Sequence, residues 1–108
     1  MVDKLEKIFS TKFANGMPSV AVGSGTDALH LAYILSGIKK NDEVILPNYT
    51  MVATANAVIL AGAKPILCDI SDENLCLDPN KLINKINKNT KAVIYVTLNG
   101  RSGFITQI

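Results

Sequence analysis

Apolar residues recur at helical spacing near the start of the chain. They stand at Leu5, Ile8, Phe9 and Phe13, so that each lies three or four positions from another member of the set. This spacing puts their side chains on one face of a helix, so the pattern predicts an amphipathic helix over residues 3–14. Asn15-Gly16 comes directly afterwards and is typical of the C-terminal stop of a helix.

Beyond residue 18, short apolar runs alternate with longer segments of helical pattern. The apolar runs predict four strands, at residues 19–22, 43–46, 64–69 and 92–96. The segments between them predict helices at residues 26–36, 51–61 and 78–87. Alternation of this kind favours right-handed crossovers and a mostly parallel sheet, and strands that are apolar throughout favour cover on both faces. The pattern therefore predicts an α/β fold with three layers, a mostly parallel sheet between flanking helices.

The composition indicates that this chain has more apolar side chains than its own core can bury. The chain has 108 residues, of which 48% are hydrophobic and 19% are charged. A lone domain of this size buries only about 60–70% of the surface of its unfolded chain. Apolar side chains are therefore in excess of what one small core buries, and we expect a partner surface.

Charge and cysteine content exclude several kinds of site. The net charge of +2 is spread along the chain, whereas nucleic-acid and membrane-surface sites need clustered basic residues. Cys68 and Cys76 fit no common zinc spacing, so we expect them to be reduced thiols. Asp72-Glu73-Asn74 lacks the spacing of a calcium loop. The sequence predicts no metal, no nucleic acid and no membrane partner.

Localisation follows from the apolar stretches. Residues 1–6 contain no apolar signal-peptide core. No stretch reaches the roughly 18 apolar residues that a membrane span needs. We expect a soluble, cytoplasmic protein.

Ligands bind at the carboxyl ends of strands in open parallel sheets, and one predicted strand end suits an anion. Gly23-Ser24-Gly25-Thr26 follows the first predicted strand and opens the next helix. Its glycines let the backbone approach a ligand, and the free N–H groups of the first helical turn attract negative charge. The alternative, a plain tight turn with an N-cap, stays open on these residues alone. Asn48-Tyr49-Thr50-Met51 and Cys68-Asp69 form two further candidate ends.

The first of these turns also admits a dinucleotide-binding interpretation. Residues 23–28 fit the G-x-G-x-x-A fingerprint between a predicted strand and a predicted helix. That fingerprint requires an acidic residue at the end of the second strand, where it holds a ribose hydroxyl. The second predicted strand here ends in Leu46-Pro47-Asn48 and has no carboxylate, which weakens this interpretation.

Several segments, taken in order, carry a resemblance to a known family. They are Ser24-Gly25-Thr26-Asp27-Ala28-Leu29, Gly37-Ile38, Asn41-Asp42-Glu43-Val44-Ile45-Leu46-Pro47, Thr50-Met51-Val52-Ala53-Thr54-Ala55-Asn56-Ala57-Val58, Gly62-Ala63, Pro65 and Asp69. From about Val2 to Gly103 the chain resembles the DegT/DnrJ/EryC1/StrS family. These are fold-type I aminotransferases that depend on pyridoxal phosphate and act mainly on nucleotide-linked keto sugars.

The resemblance implies that residues 1–108 are part of the large domain of such an enzyme, with pyridoxal 5'-phosphate (PLP) as cofactor. It implies that Ser24, Gly25 and Thr26 contact the cofactor phosphate. Met51 stands where the family has an aromatic residue on the cofactor ring, and a thioether also packs on a π face. The resemblance further implies an amino donor such as glutamate, a nucleotide-linked keto sugar as acceptor, and a homodimer.

No lysine of the chain matches the family's lysine that binds the cofactor covalently, so no catalytic residue is predicted here and the chain alone is expected to be inactive. Asp69 matches a frequent family aspartate, which we do not assign to the ring nitrogen. Thr97 stands where the family often has histidine. His30 is predicted to belong to a polar helix stripe with Asp27 rather than to act as a base. Two alternatives stay open, a nucleotide-binding module and a non-catalytic remnant.

Overall fold

Helices and strands alternate along most of the chain. The computed structural model describes all 108 residues. The elements in order are α1 (Val2–Phe13), α2 (Gly25–Leu35), β1 (Glu43–Pro47), α3 (Val52–Leu60), β2 (Lys64–Cys68), α4 (Pro79–Leu82) and β3 (Thr90–Val93). Two 3-10 turns follow, at Leu98–Gly100 and Ile105–Gln107. No helix combines the length and the apolar composition that crossing a membrane requires.

The three strands form one parallel sheet with β1 in the centre. The strand order is β2-β1-β3. In this register Ile45 stands opposite Ile66 of β2 and opposite Val93 of β3. Helix α3 carries the chain from β1 to β2, because adjacent parallel strands need a crossover. The predicted α/β fold with a parallel sheet is confirmed.

The core lies on both faces of the sheet. Successive side chains of a strand point to opposite faces, so Val44 and Leu46 pack with Ala57 and Val58 of α3, on the side that α2 also covers. On the other face, Ile45 packs in a second cluster whose remaining buried members are Cys68, Leu77 and Leu82. The sheet is therefore the middle of three layers, with α2 and α3 on one side and α4 with its preceding loop on the other.

One predicted strand is not formed, and the prediction for residues 19–22 is wrong. No strand pairs with this segment, and a strand without a neighbour has no ladder of hydrogen bonds. The amide of Ala21 instead donates to the Glu6 Oε1 carboxylate oxygen at 2.8 Å. Val20 is 70% exposed, so the apolar face of this segment has no cover.

The fourth helix is also shorter than predicted and ends at Leu82 rather than near residue 87. Asparagine side chains explain the early end, because they bond to the nearby backbone in place of helical partners. The Asn84 side-chain amide donates to the Asn80 carbonyl at 3.0 Å, and the Asn87 side-chain carbonyl accepts from the Asn89 amide at 2.9 Å. The chain then enters β3 two residues earlier than predicted.

The chain exposes more surface than a folded protein of its mass. Its accessible surface is 7433 Å², whereas a monomeric protein of 11.6 kDa exposes about 5,800 Å². Helix α1 contributes to the difference because none of its residues is buried. The accessible surface and the exposure of α1 agree with the expectation from composition that this chain has more apolar side chains than its own core can bury.

Residues 98–103 fold back over the end of β3 and make a tight contact there. The Tyr95 hydroxyl donates to the Ser102 carbonyl at 2.6 Å, and burial, together with a hydrogen bond to Cys76, raises the pKa of this hydroxyl. Gly103 has a φ of +52°, and a Cβ atom added there would lie 2.6 Å from Cys76 Cβ and overlap the Tyr95 hydroxyl.

Replacing Gly103 with alanine is therefore expected to destabilise the docking of this loop by about 2–3 kcal/mol, because backbone strain and overlap add. Hydrogen exchange of residues 98–103 measures the effect, and faster exchange confined to these amides is the expected result. Gly16→Ala is the matched control for strain alone, because Gly16 also has a positive φ but has nothing near its added Cβ. The loss of exchange protection is measured at the amides around each replaced glycine. Equal losses for the two variants would mean that the contact with Tyr95 and Cys76 adds no energy.

Candidate functional site

The N-terminus of α2 is closed by a reciprocal pair of side-chain contacts. Ser24 is the N-cap, and its hydroxyl accepts from the Asp27 amide at 3.2 Å. The same hydroxyl donates to the Asp27 Oδ2 carboxylate oxygen at 2.9 Å. The Asp27 carboxylate therefore occupies the Ser24 hydroxyl as a hydrogen-bond donor, and the two contacts hold the turn in place. The sequence analysis missed this role, although serine and an acidic residue three positions apart is a capping signal.

Donors remain free beside this closed pair. The backbone N–H groups of Gly25 and Thr26 have no acceptor in the chain, as expected for the first two residues of a helix. The Thr26 hydroxyl is half-buried and has no hydrogen-bond partner. A Cβ atom added at Gly25 would meet nothing within 4 Å, so the approach to these N–H groups is open. The turn thus offers three donors to one anion, at the positive end of a helix.

The carboxyl ends of β1 and β2 meet, which brings the other two candidate strand ends together. Pro47 stands opposite Cys68 in the ladder, so the next residues, Asn48 and Asp69, lie side by side. The Asn48 side-chain amide donates to the Asp69 Oδ1 carboxylate oxygen at 2.8 Å. A shallow depression of about 290 Å³ adjoins this pair, with Asp72 and Lys81 also on its wall. No hydrogen bond links this edge to the turn at Ser24.

The segment between β1 and α3 leaves its large side chains open. Met51 is the N-cap of α3, makes no side-chain capping bond and is 73% exposed. Tyr49 is exposed as well. The Thr50 and Thr54 hydroxyls bond to each other at 3.2 Å. This hydrogen bond fixes the start of α3, while Met51 stays available to a ligand.

The remaining candidates form no second centre. Burial, followed by the charge of Asp69, raises the pKa of the Cys68 thiol, which disfavours its reactive thiolate form. Cys76 is a second buried, free thiol. His30 is half-buried, Thr97 is exposed, and neither side chain makes a hydrogen bond. No group of three His, Cys, Asp or Glu side chains is placed to hold a metal ion.

Comparison with known proteins gives consistent matches over the whole chain. The sequence profile of the DegT/DnrJ/EryC1/StrS aminotransferase family matches residues 1–108. Over 101 residues the chain is 39% identical to GDP-perosamine synthase of Vibrio cholerae, covering 94% of this chain and 27% of that protein. It is 39% identical over 99 residues to UDP-2-acetamido-2-deoxy-3-oxo-D-glucuronate aminotransferase of Pseudomonas aeruginosa, covering 92% of this chain and 26% of that one.

A solved structure agrees with the sequence matches. The crystal structure of NtdA from Bacillus subtilis with bound cofactor PMP superposes with a TM-score of 0.90 at 34% identity. The match covers 99% of this chain and 24% of that one. The chain therefore spans about a quarter of the length of the relatives that it matches.

Proposed function

Because the chain belongs to the DegT/DnrJ/EryC1/StrS aminotransferase family, we propose that its 108 residues are the part of the large domain that holds the cofactor phosphate. The resemblance predicted from the sequence motifs is confirmed by the family match. Family membership implies PLP as the cofactor, and the related NtdA structure contains the amine form of this cofactor, PMP.

The free donors at the start of α2 are the observation that carries this proposal. The N–H groups of Gly25 and Thr26 and the Thr26 hydroxyl have no hydrogen-bond partner, and the space beside Gly25 is open. They match the donor set that a phosphate dianion needs at a helix N-terminus. Ser24 supports the site by fixing the turn through Asp27. Met51, exposed at the start of α3, would pack on the cofactor ring.

The reaction that we propose for the intact enzyme is transfer of an amino group from an amino acid such as glutamate to a nucleotide-linked keto sugar. The cofactor, when bound, would supply the group that carries the amino nitrogen and would stabilise the electron pair left on carbon when its proton is removed. The residues of this chain bind and orient the cofactor through its phosphate and ring. We further propose that the intact enzyme is a cytoplasmic homodimer.

The test of this function is spectroscopic and uses the intact enzyme. Addition of glutamate should shift the absorbance of the bound cofactor to that of its amine form, and a nucleotide-linked keto sugar should reverse the shift. NAD serves as the control, since a dinucleotide-binding module would bind it and this site should not. Binding of NAD without any response to PLP would favour the nucleotide-binding alternative.

The 108-residue chain alone is expected to show no transamination, because the reaction requires a lysine amine that both binds the cofactor and moves a proton. Lys39, Lys40, Lys85 and Lys88 are exposed surface residues. Lys81 borders the depression beside Asp69. Reduction with borohydride in the presence of PLP, followed by mass spectrometry, should find no stoichiometric pyridoxyl group on any one lysine. A single adduct, for example on Lys81, together with turnover would refute the prediction.

A further inference from the structure

The turn between β1 and α3, at residues 48–51, carries the Met51 side chain that the proposed function places on the cofactor ring. The first residue of this turn is tied to the end of β2 by two hydrogen bonds. The Asn48 backbone amide donates to the Cys68 carbonyl at 2.8 Å. The Asn48 side-chain amide donates to the Asp69 Oδ1 carboxylate oxygen, also at 2.8 Å. These two bonds fix the point at which the turn leaves the sheet.

The other end of the turn is fixed from the core. Thr54 of α3 is buried, with only 6% of its surface exposed, and its hydroxyl shares a hydrogen bond of 3.2 Å with the Thr50 hydroxyl. The Thr54 amide donates to the Met51 carbonyl at 3.0 Å. Met51 makes no capping bond of its own. The backbone that carries Met51 is therefore held from both sides, while its side chain remains open to a ligand.

The bond between Asn48 and Asp69 has a larger consequence for geometry than for stability. Both residues are exposed, and a hydrogen bond between such groups changes a folding equilibrium by no more than about tenfold. The bond reaches the turn from the neighbouring strand end, across 21 positions of the sequence. A binding site works only when its contacts are held within about 0.5 Å of the productive geometry, and hydrogen bonds behind the contact residues supply this precision. Asp69 is placed to supply it for the turn.

We propose that Asp69 is a positioning residue for the cofactor ring. Its carboxylate holds the Asn48 side chain, Asn48 fixes the start of the turn, and the turn sets the place at which Met51 meets the ring. Asp69 acts through these two residues and does not itself touch the cofactor. This inference rests on the proposed function, and it adds the residue that orients the ring contact.

The test uses the intact enzyme and measures both the dissociation constant of PLP and the circular dichroism of the bound cofactor in its absorbance band. Free PLP is achiral and gives no dichroism, whereas a ring held in one orientation by the protein does. Asp69→Ala should weaken PLP binding about tenfold and reduce the dichroism per bound cofactor. Asn48→Ala should have the same effect. The double variant should lose no more than either single variant, because all three lack the same bond.

Asp69→Asn separates positioning from a direct charge contact with the ring nitrogen. The new side-chain carbonyl still accepts from Asn48, so PLP affinity and dichroism should stay within about twofold of the unmodified enzyme. A carboxylate that paired with a protonated ring nitrogen would instead be lost. Asp72→Asn is the matched control, because Asp72 borders the same depression as Asp69 but is not bonded to the turn. It should leave both measurements unchanged.

Four results would overturn the proposal. They are unchanged PLP binding in Asp69→Ala, additive losses in the double variant, a loss in Asp69→Asn as large as in Asp69→Ala, and a lower melting temperature with unchanged dichroism. Competition by inorganic phosphate separates these results from a failure of the proposed function. Phosphate should compete with PLP equally well in all the variants, because the donors at the start of α2 are intact. An unmodified enzyme that binds neither PLP nor phosphate would refute the proposed function itself.

Discussion

Replacing Gly25 with valine in the intact enzyme is expected to weaken PLP binding about 100-fold, equivalent to losing two charge-assisted hydrogen bonds of roughly 1.5 kcal/mol each. Gly25 lies at the first position of α2 without a positive φ, and a Cβ atom there meets no protein atom within 4 Å. The fold therefore tolerates the new side chain. The branched side chain would instead occupy the space through which a phosphate reaches the N–H groups of Gly25 and Thr26.

Thr26→Ala is the variant with which the loss of PLP affinity in Gly25→Val is compared. It removes one hydroxyl donor and leaves the backbone N–H groups accessible, so the expected loss is about tenfold. Thr26→Ser retains the hydroxyl and should bind PLP like the unmodified enzyme. Pyridoxal, which lacks the phosphate, should bind equally well to all of these variants. Equal losses of PLP affinity for Gly25→Val and Thr26→Ala would contradict the view that the backbone is the main phosphate contact.

The central strand and helix α2 were predictable because their signals are local. Strand β1 was predicted at residues 43–46 and is found at Glu43–Pro47. Three apolar residues, Val44, Ile45 and Leu46, stand between a polar turn and a proline, a pattern typical of a short buried strand. Helix α2 was predicted at residues 26–36 and is found at Gly25–Leu35. Gly37, which has a φ of +74°, follows its C-terminal end as expected from the sequence.

The failure at residues 19–22 has a different cause. The alternation of apolar residues indicates that Val20 and Val22 favour a pleated, half-buried surface. A strand also needs a neighbouring strand to pair with. The structure contains no strand beside this segment. The local signal was therefore real, while the pairing that would satisfy it depends on contacts that the pattern does not encode.

The side-chain contacts of the site could be predicted only where they are local. The Ser24–Asp27 pair joins residues three positions apart, and a stricter search for capping signals would have found it. The bond between Asn48 and Asp69 joins residues 21 positions apart. It exists because the register places Pro47 opposite Cys68, and a shift of one residue would turn these side chains to opposite faces. The sequence alone does not fix that register.

The isolated 108-residue chain is expected not to behave as a compact monomer. Only 14 of its 108 residues are buried, and its radius of gyration is 15.2 Å, against about 13 Å for a folded domain of this length. Strands β2 and β3 each have one unpaired edge, and unpaired edges invite association with other chains. Helix α1 adds an apolar stripe without a buried residue, in which the Phe9 and Phe13 ring centroids lie 5.0 Å apart.

Size-exclusion chromatography with light scattering, together with binding of a hydrophobic dye, tests this expectation. We expect oligomers, aggregates or a loosely packed state that binds the dye, because exposed apolar surface well beyond a few hundred Å² drives association. The intact enzyme is the control and should bind little dye, since its remaining residues would cover α1, the strand edges and the 19–22 segment. Leu35 and Ile59 are exposed apolar residues of α2 and α3. A Leu35→Glu, Ile59→Glu double variant of the isolated chain should associate less but still bind the dye, because α1, the strand edges and the 19–22 segment are unchanged. A monodisperse monomer with a sharp, cooperative melting transition would show that three strands close a sufficient core, and the assignment of this segment to a larger domain would have to be withdrawn.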